Sequence, residues 1–158
     1  MGIPPLDNRG LLPEGVHCAS LQDIEDWART VPDVSRRLKL LHNLKLFIAT
    51  EISNNYHLSN FPIVLGGSFF TDKFCPGDID LAIEIPKSLV TDDEVCKNAF
   101  KFQTQHQLFK NNYELDTYIF VDDLGNNFED FFGYVGQKSG LLKGLPPKSR
   151  KGTVRIEP

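Results

Sequence analysis

The chain has few cysteines and no long apolar segment, and each absence excludes a class of protein. Cys18, Cys75 and Cys96 lie far apart without a CxxC pair or zinc-ligand spacing, so we expect reduced thiols with no metal-binding or nucleophilic role. No apolar run approaches the roughly 20 residues of a membrane span. The first residues carry neither the basic nor the apolar region of a signal peptide. We therefore expect a cytoplasmic protein without a membrane partner.

Composition fits one globular domain that ends in a basic segment. Hydrophobic residues make up 41% and charged residues 24% of the 158 residues, which is ordinary for a soluble protein with a single core, so we expect one domain over 1–158. The net charge of −4 is uneven, because the chain from Tyr134 onward has a balance of +5 and the remainder −9. Such a basic segment, 135–158, is typical either of a surface for phosphates or nucleic acid or of a solvated tail.

The first third of the chain is predicted to be extended and then helical. Prolines and glycines within residues 1–19 predict an extended segment. Ser20 and Asp23 have the spacing of a capping box and predict a short helix through Trp27. Apolar residues then recur at three- and four-residue steps over 33–53, which predicts a long amphipathic helix.

Three predicted strands follow. The apolar run at 61–65 leads into a Gly-Gly turn, as expected of a buried strand. Residues 78–85 and 114–121 alternate between apolar and polar side chains, so each of these strands places its acidic residues on one face.

The remaining elements complete a small mixed sheet flanked by helices. Thr91 and Glu94 have capping-box spacing, and helical periodicity continues from there to Phe109. Residues 127–134 predict a short aromatic-rich helix, and 153–156 a last strand. This order of elements indicates an α/β or α+β fold.

Three aspartates on the predicted strands are the candidate catalytic residues and metal ligands. Asp78 and Asp80 stand at i and i+2, so they project from one face among apolar neighbours. Two like charges in such surroundings are costly unless a cation lies between them, and carboxylate oxygens suit Mg²⁺. Asp116 on the later strand supplies a third carboxylate for a two-metal site. Glu114 shares the predicted face of Asp116 and is the alternative third ligand, whereas Glu84 is predicted to be a charge at the rim.

The turn before these acids is the candidate phosphate-binding segment. Gly66 and Gly67 allow the backbone to approach a phosphate closely, and Ser68 offers a hydroxyl and a backbone N–H. A short helix beginning at Ser68 would direct a favourable dipole at a triphosphate, and Lys73 would neutralise further charge. Each short motif alone is a weak indication, but their order and spacing together are specific.

Other polar and aromatic residues are assigned less chemistry. The four histidines show no mutual spacing, and His42 and His106 are interpreted as helix-surface or core residues rather than ligands. The phenylalanines are most simply core residues. Tyr118 and Phe120 share the predicted face of Asp116 and are candidates for stacking on a base.

The motif resembles the signature of the polymerase-β-like nucleotidyltransferase superfamily. That signature is a hydrophobic residue, Gly-Ser, a bounded spacer and Asp-hydrophobic-Asp; here nine residues separate Ser68 from Asp78. Asp116 resembles the third carboxylate of the superfamily, and the resemblance covers a catalytic core at 61–121. The segments 10–17 and 151–155 are similar to those of small uncharacterised bacterial members.

This resemblance implies an activity, its cofactors and its partners. The implied protein is a minimal, stand-alone nucleotidyltransferase that uses two Mg²⁺ ions, with Mn²⁺ as a substitute, to move an NMP from an NTP such as ATP to a hydroxyl of a protein or of tRNA or another RNA. Some minimal members serve as antitoxins that modify a partner toxin, so the expectation extends to a toxin–antitoxin or phage-defence system. Two departures are visible: Thr71 stands where many members have a basic residue, for which Lys73 is the substitute, and there is no appended helical domain.

Two other functions stay open from the sequence. The domain is alternatively a catalytically silent nucleotide-binding or partner-binding module of the same fold. A glycosyltransferase also uses Asp-x-Asp, but the upstream Gly-Gly-Ser and the short chain argue against it. In the favoured interpretation an acceptor macromolecule docks beside the basic segment at Lys148, Arg150 and Lys151.

Overall fold

A mixed five-stranded sheet forms the centre of the protein. The computed structural model describes residues 2–125 and 127–158, and these contain five strands and six α-helices. In chain order they are β1 Gly15–Cys18, α1 Leu21–Ala28, α2 Val34–Phe47, β2 Ile63–Gly66, β3 Ile79–Ile85, α3 Asp93–Thr104, α4 His106–Tyr113, β4 Leu115–Val121, α5 Phe128–Phe132, α6 Gln137–Lys143 and β5 Gly152–Ile156. The strand order is β1-β5-β2-β3-β4, with β1/β5 and β3/β4 parallel and β5/β2 and β2/β3 antiparallel. The predicted mixed α+β architecture is confirmed at this level.

The sheet separates a large apolar core from a smaller, more polar face. Along β3 the apolar side chains from Ile79 to Ile85 point into the core beneath the helices, while Asp80 and Ala82 point to the opposite face. This agrees with the alternation in the sequence, because successive side chains of a strand point to opposite sides. On the second face, α5 covers part of the sheet through Phe132, which packs with Ala82 and Phe120.

Helices α1 and α2 follow the local signals in the sequence. The Ser20 hydroxyl accepts a bond from the Asp23 N–H (3.1 Å), and the Asp23 carboxylate accepts one from the Ser20 N–H (2.8 Å), so the capping box is confirmed. Helix α2 continues without interruption as a π-helix over Ile48–Asn55, so the predicted long helix is also confirmed.

Helix α4 is anchored on the core by aromatic packing, and another of its sides faces the parallel pair β3/β4. Phe109 is buried and packs edge-on against Phe47 of α2, with ring centroids 4.9 Å apart. His106 lies three residues before Phe109, and Lys110 lies one residue after it. The packing of Phe109 therefore also determines the direction in which these two side chains leave the helix.

Several element predictions were wrong in detail. The helix predicted from Thr91 begins with Asp92 as its N-cap, whose carboxylate accepts from the Val95 N–H (3.0 Å), and the chain breaks into two helices at Gln105. Strand β1, inside the segment predicted to be extended, and helix α6, between the predicted helix at 127–134 and the predicted strand at 153–156, were missed. No helix within residues 2–125 and 127–158 is long and apolar enough to cross a membrane.

Candidate functional site

The three predicted aspartates meet on the second face of the sheet, at the start of the parallel pair β3/β4. The strand register places Asp80 directly opposite Asp116. Asp78 lies two residues before Asp80, immediately before β3. The Lys110 ammonium spans them, 3.7 Å from Asp78 Oδ2 and 3.5 Å from Asp116 Oδ2. Residues separated by 36 positions in the chain thus form one acidic cluster, Asp78, Asp80 and Asp116.

Asp80 is the most strongly perturbed member of this acidic cluster. Burial raises the pKa of its carboxyl to about 6, and the neighbouring charges of Asp78 and Asp116 add to the effect. Lys151 and Lys110 act in the opposite direction and offset only part of it. The protein therefore holds negative charge here that its own lysines do not fully compensate, as is common at binding and catalytic sites.

His106 is a site residue that the sequence interpretation missed. Its Nε2 lies 3.0 Å from Asp116 Oδ1, and its Nδ1 lies 2.7 Å from the Thr117 carbonyl oxygen. Both oxygens are acceptors, so each contact is a hydrogen bond when the ring nitrogen that faces it carries a proton. His106 is a partly exposed residue of α4, in agreement with its interpretation as a helix-surface residue, but its contact with Asp116 was not predicted. The available signal was the i, i+4 pair His106 and Lys110 on the helix that leads into the strand of Asp116.

Glu114 lies outside the acidic cluster, which removes it as the alternative third ligand. It ends α4 in the left-handed conformation (φ 57°), so it does not continue the alternation of β4. Its carboxylate forms a bidentate ion pair with Arg36, at 3.0 and 3.2 Å. Glu84 faces the same side of the sheet as Asp80, but its carboxylate forms an ion pair with the Arg155 guanidinium at 2.7 Å.

The acidic cluster offers hard oxygen donors, the ligand chemistry that Mg²⁺ prefers. Within residues 2–125 and 127–158, however, no three His, Cys, Asp or Glu side chains are gathered closely enough to hold a metal ion. The ion pairs explain this: Lys110 draws Asp78 and Asp116 toward itself, and His106 holds the second oxygen of Asp116. The donor set fits Mg²⁺ in chemistry, and the uncompensated charge at Asp80 favours a cation.

The glycine turn that precedes these acids packs directly against them. Gly67 has φ 85° and ψ −173°, a conformation that is essentially restricted to glycine. A Cβ at Gly67 would also overlap the Asp80 carboxylate, and one at Gly66 would lie 2.6 Å from the Phe132 Cβ. Ser68 begins a short 3₁₀-helix, Ser68–Phe70, as the sequence predicted for a helix start at this position.

We expect Gly67→Ala to impair ligand binding more than its effect on folding would explain. The added methyl displaces the Asp80 carboxylate and forces a strained backbone, which costs about 1–3 kcal/mol. Calorimetric titration with Mg²⁺ and a non-hydrolysable NTP, beside a denaturation curve, measures both effects. Gly77→Ala is the control, because no atom lies within 4 Å of a Cβ built there. Wild-type affinity of the Gly67 variant would contradict the role of the turn.

Comparison with known proteins places the chain in a family. The model of one family matches residues 4–157, almost the entire chain. The protein belongs to the family of unknown function DUF6932. Neither a curated protein nor a solved structure matches it significantly.

A buried arginine holds the turn of this DUF6932 protein in place. Arg37 of α2 is fully buried, and its guanidinium donates to the carbonyl oxygens of Phe69 (3.1 Å), Thr71 (2.6 Å) and Lys73 (3.0 Å), as well as to that of Pro32. Burial lowers the pKa of Arg37, which shows how far the group is removed from water. The segment after Gly67 is thus fastened to the helical layer by one side chain.

A basic cleft of 270 Å³ opens on the serine side of the turn. Its polar lining comprises Ser68, Thr71, Asp72, Lys73, Lys138, Ser139, Lys143 and Lys151. Lys151 is only 9% exposed, and burial lowers the pKa of its ammonium while Asp80 favours the charged form. The basic cleft therefore adjoins the acidic cluster through Lys151.

The basic C-terminal segment is not the continuous surface that the sequence predicted. Of the three residues expected to dock an acceptor, Lys148 is exposed and Lys151 is buried. Arg150 forms an ion pair with Asp130 (3.1 Å), and its guanidinium carbon lies 4.3 Å from the centroid of the Tyr134 ring. Lysine 143 likewise contacts Asp72 at 2.6 Å. The expected docking surface of Lys148, Arg150 and Lys151 is corrected accordingly.

Proposed function

We propose that this DUF6932 protein is a Mg²⁺-dependent nucleotidyltransferase that transfers an NMP from an NTP to a hydroxyl of a protein or RNA acceptor. The observation that carries the proposal is the contact between Gly67 and Asp80, which joins the glycine–serine turn to the acidic cluster. A phosphate site and a cation site thereby share one wall, as the transfer of a nucleotide from a triphosphate requires.

The basic cleft supplies the groups that would hold the triphosphate. Ser68 offers its hydroxyl and the first backbone N–H of the 3₁₀-helix, and Lys73 and Lys138 are exposed at the rim. Lys151 contributes a buried ammonium between the phosphates and Asp80. Such preorganised donors stabilise charge on a transferring group better than water does.

The acidic cluster supplies the cation site and the proton acceptor. Asp78, Asp80 and Asp116 would hold Mg²⁺, which polarises phosphoryl oxygens and neutralises their charge. The acceptor hydroxyl oxygen bonds to the α-phosphorus, the bond from that phosphorus to the bridging oxygen breaks, and pyrophosphate leaves. Asp116 takes the hydroxyl proton, and His106 fixes the orientation of its carboxylate through the 3.0 Å contact.

The test is transfer of label from each of the four α-labelled NTPs. The protein is incubated with Mg²⁺ or Mn²⁺, with and without tRNA and with protein extracts, and labelled macromolecules are separated from free nucleotide. We expect label on one acceptor class and none with Asp80→Asn. Absence of label from every acceptor would refute the proposed transfer, and NTP binding without any label would point to a silent module instead.

We expect Lys151→Met to lower the affinity for NTP by about tenfold or more without lowering stability. The substitution keeps the length of the side chain but removes a charge-assisted contact worth about 1.5–3 kcal/mol. Folding loses little, because the cost of burying the ammonium is removed at the same time. Calorimetry with Mg²⁺ and a non-hydrolysable NTP measures affinity. The exposed Lys148→Met is the matched control, and equal affinities of the two variants would contradict the phosphate assignment.

A second candidate is a catalytically silent nucleotide-binding or partner-binding module. It is favoured by the Lys110 ammonium, which neutralises part of the acidic cluster, and by His106, which occupies one oxygen of Asp116. The two functions differ in one observable. A silent module binds an NTP or a partner protein and leaves every acceptor unlabelled. In that case Asp116→Asn does not change this binding.

A further inference from the structure

An aromatic cleft of 600 Å³ borders β4, whereas Ser68 and Lys151 of the basic cleft adjoin β2 and β5, on the other side of β3 in the strand order. The rings of Tyr118, Phe128, Phe131 and Tyr134 line it. This volume is in the range of about 300–1,000 Å³ that small-molecule sites occupy. Phe131 is 61% exposed and Tyr134 is 42% exposed, so aromatic surface faces the solvent at this position.

The rings form a corner suited to a flat group. Tyr118 and Phe128 are stacked with an interplanar angle of 24° and centroids 4.8 Å apart. Phe131 stands at 73° to Phe128, with centroids 5.8 Å apart. A planar ligand can therefore lie against one ring face while its edge meets another ring, which is the favourable geometry for aromatic pairs.

The aromatic cleft begins at the acidic cluster. Tyr118 lies two residues after Asp116 on the same face of β4, next to the strand that carries Asp80. A group bound in the aromatic cleft therefore lies beside the acidic cluster.

The two clefts differ in charge. Lysines line the basic cleft, whereas Asp130 is the charged residue among the described residues that line the aromatic cleft. Arg150 is not part of this lining and contacts Asp130 and the ring of Tyr134. The aromatic cleft is therefore unsuited to phosphates and suited to an uncharged aromatic ring with hydrogen-bond donors. A nucleoside triphosphate has an uncharged aromatic base at one end and negatively charged phosphates at the other, and its α-phosphate lies between them.

We propose that the aromatic cleft binds the base of the nucleoside triphosphate whose phosphates lie in the basic cleft. This inference rests on the proposed nucleotidyltransferase function and adds the direction in which the substrate lies across the acidic cluster. The base stacks on the exposed rings of Phe131 and Tyr134, and base–aromatic stacking does not depend strongly on the identity of the base.

The experiment compares a ligand that has a base with one that has none. Affinities of ATP and of inorganic tripolyphosphate, each with Mg²⁺, are measured by calorimetry on wild type, Phe131→Ala, Tyr134→Ala and Lys151→Met. Phe100→Ala is the control, because Phe100 is 73% exposed and lies outside the aromatic cleft. Far-ultraviolet circular dichroism confirms that each variant is folded.

The inference predicts a selective loss. Phe131→Ala and Tyr134→Ala each weaken ATP binding about five- to 150-fold and leave tripolyphosphate binding unchanged, whereas Lys151→Met weakens both ligands. Unchanged ATP affinity in both aromatic variants overturns the inference and leaves the proposed function standing. If wild type binds neither ligand, the proposed function and the inference both fall. If Phe131→Ala instead disrupts a dimer without changing ATP affinity, a second copy covers the aromatic cleft and the inference is again overturned.

Discussion

Asp80→Asn lowers the rate of NMP transfer by about 10²–10³ and leaves the protein at least as stable as wild type. Removal of one group that stabilises charge in a transition state costs about 10²–10³ in rate, and Asp80 lies at the centre of the acidic cluster. Stability is expected to stay or rise, because the carboxyl is buried beside two like charges, with its pKa raised to about 6. An amide of the same shape removes that repulsion.

Two measurements separate this result from a general loss of structure. Transfer of label is compared with the thermal midpoint in metal-free buffer for Asp80→Asn, Asp116→Asn and the exposed control Asp122→Asn. Asp116→Asn should lose activity too, but with lower stability, since its contacts with His106 and Lys110 are lost. Full activity of Asp80→Asn would refute the assignment of Asp80, and a large fall in its midpoint would show that the carboxylate has a structural role instead.

We expect Arg37→Met to destabilise the protein by about 3 kcal/mol or more, because several backbone carbonyl oxygens lose a charged donor at once. The methionine leaves the carbonyl oxygens of Phe69, Thr71 and Lys73 without their donor, and each unsatisfied buried polar group costs about 1–3 kcal/mol. Relief of the burial cost of the guanidinium offsets part of this sum. The loss is a large fraction of the roughly 5–15 kcal/mol that stabilises a typical domain.

Urea denaturation measures the free energy of unfolding of this variant. Arg29→Met is the matched control, since Arg29 is mostly exposed and its ion pair with Glu25 lies on the surface, where such pairs contribute about 0–1 kcal/mol. Because Arg37 holds the segment after Gly67, the folded fraction of Arg37→Met should also bind NTP more weakly. Equal stability of the two variants would mean that the segment is held by other contacts.

Local patterns predicted the elements whose determinants are close in the chain. The capping box of Ser20 and Asp23 formed as expected, because both partners lie within one helical turn. The alternation along β3 correctly placed Asp80 opposite the apolar face, since a strand side chain can point to only two sides. The order of the glycine turn and the aspartates likewise predicted that these segments share a site.

Local patterns failed where the deciding partner is distant or where the backbone departs from regular geometry. Glu114 and Asp116 look equivalent in an alternating strand, but the left-handed conformation at Glu114 turns its carboxylate to Arg36, 78 residues away. Strand β1 forms because β5 pairs with it, so the register Gly15 to Gly152 spans nearly the whole chain.

The sequence by itself determined the mixed architecture, the start of helix α1 and the strand face that bears the aspartates, because these depend on periodicity and on neighbours within a few residues. Only the tertiary structure decided which charges meet the acids. His106 and Lys110 reach them because Phe109 anchors α4 on the core, and Lys151 reaches them because β5 lies beside β2 in the sheet. Ionic contacts of this kind depend on distances in space that no spacing along the chain encodes.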